Sequence, residues 1–138
     1  SFNHNNFVSS VSQKVRTIKI DDYLKDEKID DYFLFLKIDV EGNEFEVIKS
    51  GLDIIKKNSP IIIIEFSKYN FAEKNENYNF LKNFLEKFNY NIYSVNNKKI
   101  EPEEILKMVK TLTKRHETIG NYFLIKSESK EEGIFLYG

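Results

Sequence analysis

Phe33-Leu34-Phe35-Leu36-Lys37-Ile38-Asp39-Val40-Glu41-Gly42-Asn43-Glu44 is the stretch on which the fold turns. Its first four residues are all apolar, and Ile38 and Val40 extend the run. A strand that is apolar on both faces belongs in a parallel sheet with helices above and below it. Gly42 ends the strand. Phe45, Ile48, Leu52 and Ile55 then recur at three- and four-residue spacing, which predicts one helix over 44–57 with a single buried stripe. Gly51 lies within that helix and weakens it. Pro60 leads into a second buried strand, Ile61 to Phe66.

The pattern continues outward from this centre. Downstream, residues 69–76 read as a polar loop, and 77–88 as an amphipathic helix with Phe80, Leu81, Phe84, Leu85 and Phe88 inside. Residues 90–95 read as a strand and Asn96-Asn97 as a turn. Pro102 suits a first helical position, and Glu103 and Glu104 suit the positive end of the helix dipole. That helix is expected to reach about Arg115. Residues 121–126 form a last strand, followed by a charged tail over 127–133 and an apolar remnant over 134–137. Upstream, Val15 to Ile20 alternates imperfectly and predicts a short strand. Asp21 or Asp22 then caps a short helix through Leu24 to Lys28. Residues 1–14 form a polar leader. Strands alternating with helices at this spacing predict an α/β sheet, in one domain over 1–138 with no internal linker.

Composition narrows the function. Of the 138 residues, 41% are hydrophobic and 14% aromatic, enough for a packed core. Basic and acidic residues balance at 21 against 22, so nothing calls for nucleic acid as a partner. The absence of cysteine excludes disulfides, thiolate zinc sites and cysteine nucleophiles. His4 and His116, the two histidines, leave little scope for a histidine metal site. No apolar run is long enough to span a bilayer and no signal peptide is visible, so no membrane partner and a cytoplasmic location are expected. The chain begins with Ser1 and its one methionine is Met108, which points to a processed or longer parent.

Chemistry concentrates at residues 37–44. Side chains alternate along a strand, so Lys37, Asp39 and Glu41 share one side and Ile38 and Val40 the other. Asp39 and Glu41 stand at the strand's carboxyl end, where open α/β sheets bind ligands. Two readings stay open on spacing alone. In one, Lys37, Asp39 and Glu41 form a polar site for proton transfer, a metal or substrate hydroxyls. In the other, the acids cap the next helix and pair with Lys37, because an unpaired charge there is costly. Tyr69, in the loop after Glu65, is a candidate to stack on a substrate, whereas most of the tyrosines belong at the core's edge. His116 reads as a solvated cation at the end of a helix.

The stretches Val15 to Leu24, Leu36 to Glu44, Val47 to Gly51 and Pro60 to Glu65 together resemble the FkbM-type methyltransferases. Asn89 to Tyr93 is similar to a later strand of that family, with Asn89 where a glycine is usual, and Asn121 to Ile125 to its closing strand. The resemblance spans roughly residues 15–126.

It implies a Rossmann-like class I methyltransferase fold, here its last four strands with flanking helices, the final strands being mixed or antiparallel. It implies S-adenosylmethionine as cofactor and a small-molecule methyl acceptor, often a sugar or secondary-metabolite hydroxyl. Carried over, Asp39 lies beside the methyl group and the acceptor, with Asp39 or Glu41 as the base and Asp39 and Gly42 toward the cofactor. Glu41 and Glu65 line the acceptor pocket, and Lys37 and Tyr69 are further substrate-binding candidates. A metal-free site is expected ahead of a hard cation held by Asp39, Glu41 and Glu65. A glycine-rich turn should end the family's first strand, yet the five glycines, at 42, 51, 120, 133 and 138, form no such cluster. The cofactor-gripping half is therefore expected outside this chain. The strand at 33–40, central in the family's sheet, would then have an open edge, through which the chain either self-associates or needs its other half. Two other classes compete: a non-catalytic α/β interaction module, and an α/β enzyme whose acidic strand end binds Mg²⁺.

Overall fold

A computed structural model describes residues 12–30, 34–71, 75–114 and 116–138. Helix α1 (Ile20–Leu24) is followed by β1 (Phe35–Ile38), α2 (Glu44–Ser50), α3 (Leu52–Asn58), β2 (Ile61–Ser67) and the single turn α4 (Lys68–Phe71). Then come α5 (Asn75–Phe88), β3 (Tyr90–Ser94), β4 (Lys99–Ile100), α6 (Pro102–Lys110), β5 (Thr118–Lys126) and α7 (Lys130–Tyr137). The strands form one five-stranded open sheet in the order β1-β2-β5-β3-β4. β1 and β2 are parallel, and β5 runs antiparallel to both β2 and β3. The expected mixed α/β sheet is therefore present, with β4 as an added short hairpin strand.

Apolar side chains on the two sheet faces make two unequal cores. The larger gathers Ile38, Phe45, Ile48, Ile55, Phe66, Leu81, Phe84 and Leu124, so the predicted inner stripes of α2, α3 and α5 do pack inward. The smaller lies on the opposite face, where Phe135 and Leu136 of α7 meet Ile61, Tyr93 and Ile125. Glu132 ties α7 down by accepting hydrogen bonds from Tyr93 Oη at 2.8 Å and Asn91 Nδ2 at 2.9 Å. The charged tail and apolar remnant expected after residue 126 are thus one docked helix, begun by Ser129 Oγ accepting from Glu132 N. No helix among the described residues is long and apolar enough to cross a membrane.

Several elements depart from the sequence reading. The strand expected over 15–20 does not form; residues 12–19 have no regular structure, and Val15 and Ile18 stay exposed without a sheet neighbour to cover them. The helix after it stops at Leu24 rather than Lys28. Asp21 caps not its own helix but α3: its carboxylate accepts from Asp53 N at 3.1 Å and Ile54 N at 3.0 Å. Gly51, at the N-cap of α3, has no side chain to do this. The helix expected over 44–57 is accordingly two helices, broken at Gly51. β1 is regular only over Phe35–Ile38, with Phe33 outside the described residues. Among the described residues its two faces differ: Ile38 is buried, while Phe35 is 61% exposed. α6 ends at Lys110, five residues short of the expected stop, and β5 starts at Thr118, earlier than expected.

Candidate functional site

The site is built at the carboxyl ends of the parallel pair β1 and β2. Their register ends with Ile38 opposite Ile64, so the next step along each strand brings Asp39 and Glu65. After Ile38 the chain turns sharply. Glu41 takes a positive φ of 51° and Gly42 one of 112°, the left-handed side of backbone space that favours glycine.

One buried carboxylate holds this turn. Glu44, 1% exposed, accepts from Gly42 N at 2.9 Å and 3.1 Å and from Val40 N at 3.3 Å. It also accepts from Asn70 Nδ2. Asn70, equally buried, accepts through Oδ1 from Ser67 N at 2.7 Å and Ser67 Oγ at 3.0 Å. A buried polar group is tolerable only when its hydrogen bonds are made, and here each partner's are. The expected polar loop over 69–76 therefore starts as the ordered turn α4, anchored below by Phe71 against Phe45, with ring centroids 5.6 Å apart. The Tyr69 ring lies directly on Gly42: a Cβ at residue 42 would stand 2.0 Å from Tyr69 Cδ1.

Above these turns is a pocket of about 550 Å³ lined by Glu41, Glu65, Ser67, Tyr69 and His116. His116 arrives on the segment between α6 and β5. That segment is fastened at both sides of it: Lys68 Nζ donates to Leu112 O at 2.9 Å, and Glu117 O accepts from Lys68 N at 2.9 Å. The Glu117 carboxylate accepts from Thr113 N at 2.8 Å and Lys114 N at 3.2 Å. Those backbone hydrogen bonds hold it below the usual carboxylate range.

Three of the expected residues thus meet, namely Glu41, Glu65 and Tyr69. Lys37 and Asp39 stand apart as an exposed ion pair at 2.8 Å, and neither lines the pocket. Gly42 contributes backbone, with its open Cα face taken by Tyr69. Among the described residues no three His, Asp or Glu side chains converge as a shared cation would need. Glu44, Asn70 and Ser67 went unread in the sequence, and His116, read there as a solvated cation at a helix end, instead lines the pocket six residues beyond the end of α6. Glu44 carried a usable signal: an acid two residues after a glycine turn can accept that turn's free amides. His116 carried none, because it reaches the pocket only through the packing of a distant segment.

The family model of the methyltransferase FkbM domain matches residues 1–92. This chain belongs to the FkbM methyltransferase family. The FkbM match takes in α1 through most of β3 and contains Glu41, Glu44, Glu65, Tyr69 and Asn70. It ends at Ile92, so β5 and His116, the latter part of the expected 15–126 span included, lie beyond it. No curated protein and no solved structure matches the chain. Membership of the FkbM family points to methyl transfer as the general activity.

Proposed function

We propose that this chain forms the acceptor side of an S-adenosylmethionine-dependent O-methyltransferase with a Rossmann-like class I sheet, working in the cytoplasm on a sugar or secondary-metabolite hydroxyl. The observation that carries this reading is that Glu41, in the turn after β1, and Glu65, on the adjacent parallel strand β2, line one pocket with Tyr69. Carboxylates accept from sugar hydroxyls, and an aromatic ring covers the apolar face of a sugar.

The bound cofactor supplies an electrophilic methyl group on a sulfonium. The protein's own work is to place the acceptor oxygen and remove its proton. Glu41 is the better base, because Asp39 is engaged with Lys37 outside the pocket. Glu65 orients the acceptor through a second hydroxyl, and Tyr69 bounds it on one side. Toward the cofactor, Asp39 fits as an exposed carboxylate just past the end of β1, where it could accept from a hydroxyl. Gly42 does not fit, since Tyr69 covers the face a ligand would use. The reading places the cofactor-gripping half of the sheet beside β1, which is the edge strand among the described residues.

Labelled methyl transfer from S-adenosylmethionine to a panel of sugars and hydroxylated metabolites tests the proposal. Glu41→Gln should slow transfer roughly a hundredfold, the usual scale for losing a general base, and Glu65→Gln should mainly raise the acceptor KM. If neither substitution alters transfer, the pocket is not the acceptor site. That open edge also supports a second reading, an interaction module, which predicts no transfer even when the cofactor-gripping half is supplied.

A further inference from the structure

We propose that Glu44 and Asn70 are a positioning pair that locks the two walls of the pocket to each other; the functional part of this claim rests on reading the pocket as the acceptor site. One wall is the turn after β1, which carries Glu41. The other is α4, after β2, which carries Tyr69. The walls are 26 residues apart in sequence at their point of linkage, and the side-chain hydrogen bond from Asn70 Nδ2 to Glu44 Oε2 joins them.

Each member also fixes its own wall. Glu44 gathers the amides of Val40 and Gly42, the two residues flanking Glu41. That hold keeps Glu41 and Gly42 in their left-handed conformations, which an unsupported loop would abandon. Asn70 gathers Ser67 N and Ser67 Oγ, and its own carbonyl accepts from Asn77 Nδ2 at the start of α5. The Tyr69 ring resting on Gly42 is the visible result of the two walls being in register. Neither Glu44 nor Asn70 lines the pocket, so both act through Glu41 and Tyr69. Catalysis is sensitive to displacements of about 1 Å in such a constellation, which gives the lock its consequence.

The pair's donor–acceptor polarity can be reversed, and that makes the test. Glu44→Gln sets an amide donor against the Asn70 donor. Asn70→Asp sets two carboxylates face to face. The double variant E44Q/N70D restores one donor and one acceptor while keeping an oxygen for Gly42 N and another for Ser67. Hydrogen exchange of the Val40 and Gly42 amides and the acceptor KM are measured on all four proteins. Each single substitution should speed exchange at both amides and raise KM at least tenfold, and the double variant should return both to within threefold of the parent. Ile105→Val, a core truncation at a residue that does not line the pocket, should lower stability while leaving KM unchanged. The proposal is overturned if the double variant is as impaired as the worse single one. It is equally overturned if Ile105→Val shifts KM as far as the single substitutions do. Protection from exchange that is lost and reciprocally recovered, with methyl transfer in none of the four proteins, upholds the lock and sinks the methyltransferase reading alone.

Discussion

Gly42 is where backbone strain and side-chain packing meet. Its φ of 112° is strained for any residue with a Cβ, and that Cβ would collide with Tyr69. Gly42→Ala should therefore cost about 2 kcal/mol of stability, the scale for a forbidden backbone angle compounded by a clash. A urea midpoint that does not move would show that Tyr69 is not held where it lies. Tyr93 makes a prediction of a different kind. Burial first, and then its hydrogen bond to the Glu132 carboxylate, push the phenol up to about 12 from an ordinary 10. The folded state thus holds the proton more tightly than the unfolded chain does. Stability from this source is complete below pH 10 and is lost as pH rises toward 12. One such group contributes a slope of at most ~1.4 kcal/mol per pH unit. Tyr93→Phe should flatten the alkaline loss of stability in denaturant titrations at a series of pH values; an unchanged slope would assign that loss to other groups. Glu132 works at the acid end. Partial burial opposes its ionisation, but bonds from Asn91, Glu128 N and Tyr93 outweigh it, so its pKa lies below the usual value.

The elements show what a periodic pattern reveals and what it hides. Phe45, Ile48 and Ile55 sit on one stripe and all three are buried, so α2 and α3 were legible as helix. The break between them was legible only as the weakness of Gly51, because what divides them is tertiary: Asp21, about thirty residues upstream, caps the second helix. Asp21→Ala should free the first amides of α3 and cost about 1 kcal/mol, as loss of an N-cap does. Asp21→Asn, which keeps an acceptor oxygen, should recover most of that in a thermal melt. Equal losses from both substitutions would mean that charge, not capping, is what matters there. α7 was missed for a related reason. Its apolar residues are consecutive and not spaced at helical intervals, so only their contact with Tyr93, Phe123 and Ile125 turns them into a buried face. The candidate site divides along the same line. Glu41 follows an apolar strand and was visible as an acid out of place, whereas Glu65 was reached through the family resemblance. Ser67, Asn70 and His116 depend on contacts between segments, to which local spacing is blind.

At the scale of the molecule, the sheet is open, and among the described residues its edge strands are β1 and the two-residue β4. β2, β5 and β3 have neighbours on both edges, whereas β1 is paired to β2 alone among the described residues. Its outer face carries Phe35, 61% exposed, at the rim of an apolar groove of about 450 Å³ shared with Ile61, Phe123, Ile134 and Phe135. Open strand edges are usually blunted by charge, and Lys37, already drawn to Asp39, is the one cation on β1. A flat apolar edge of this kind recruits another strand, because backbone amides and apolar area are then covered together. We propose that two copies associate along β1. Sedimentation velocity should show a dimer fraction that grows with protein concentration. Phe35→Lys puts a second cation on the edge and removes apolar area without touching the inward-facing Ile38, so it should shift the equilibrium to monomer while circular dichroism stays unchanged. The parent chain sedimenting as a monomer at every concentration would leave the β1 edge without this role. A dimer that Phe35→Lys leaves intact would move the contact to another face.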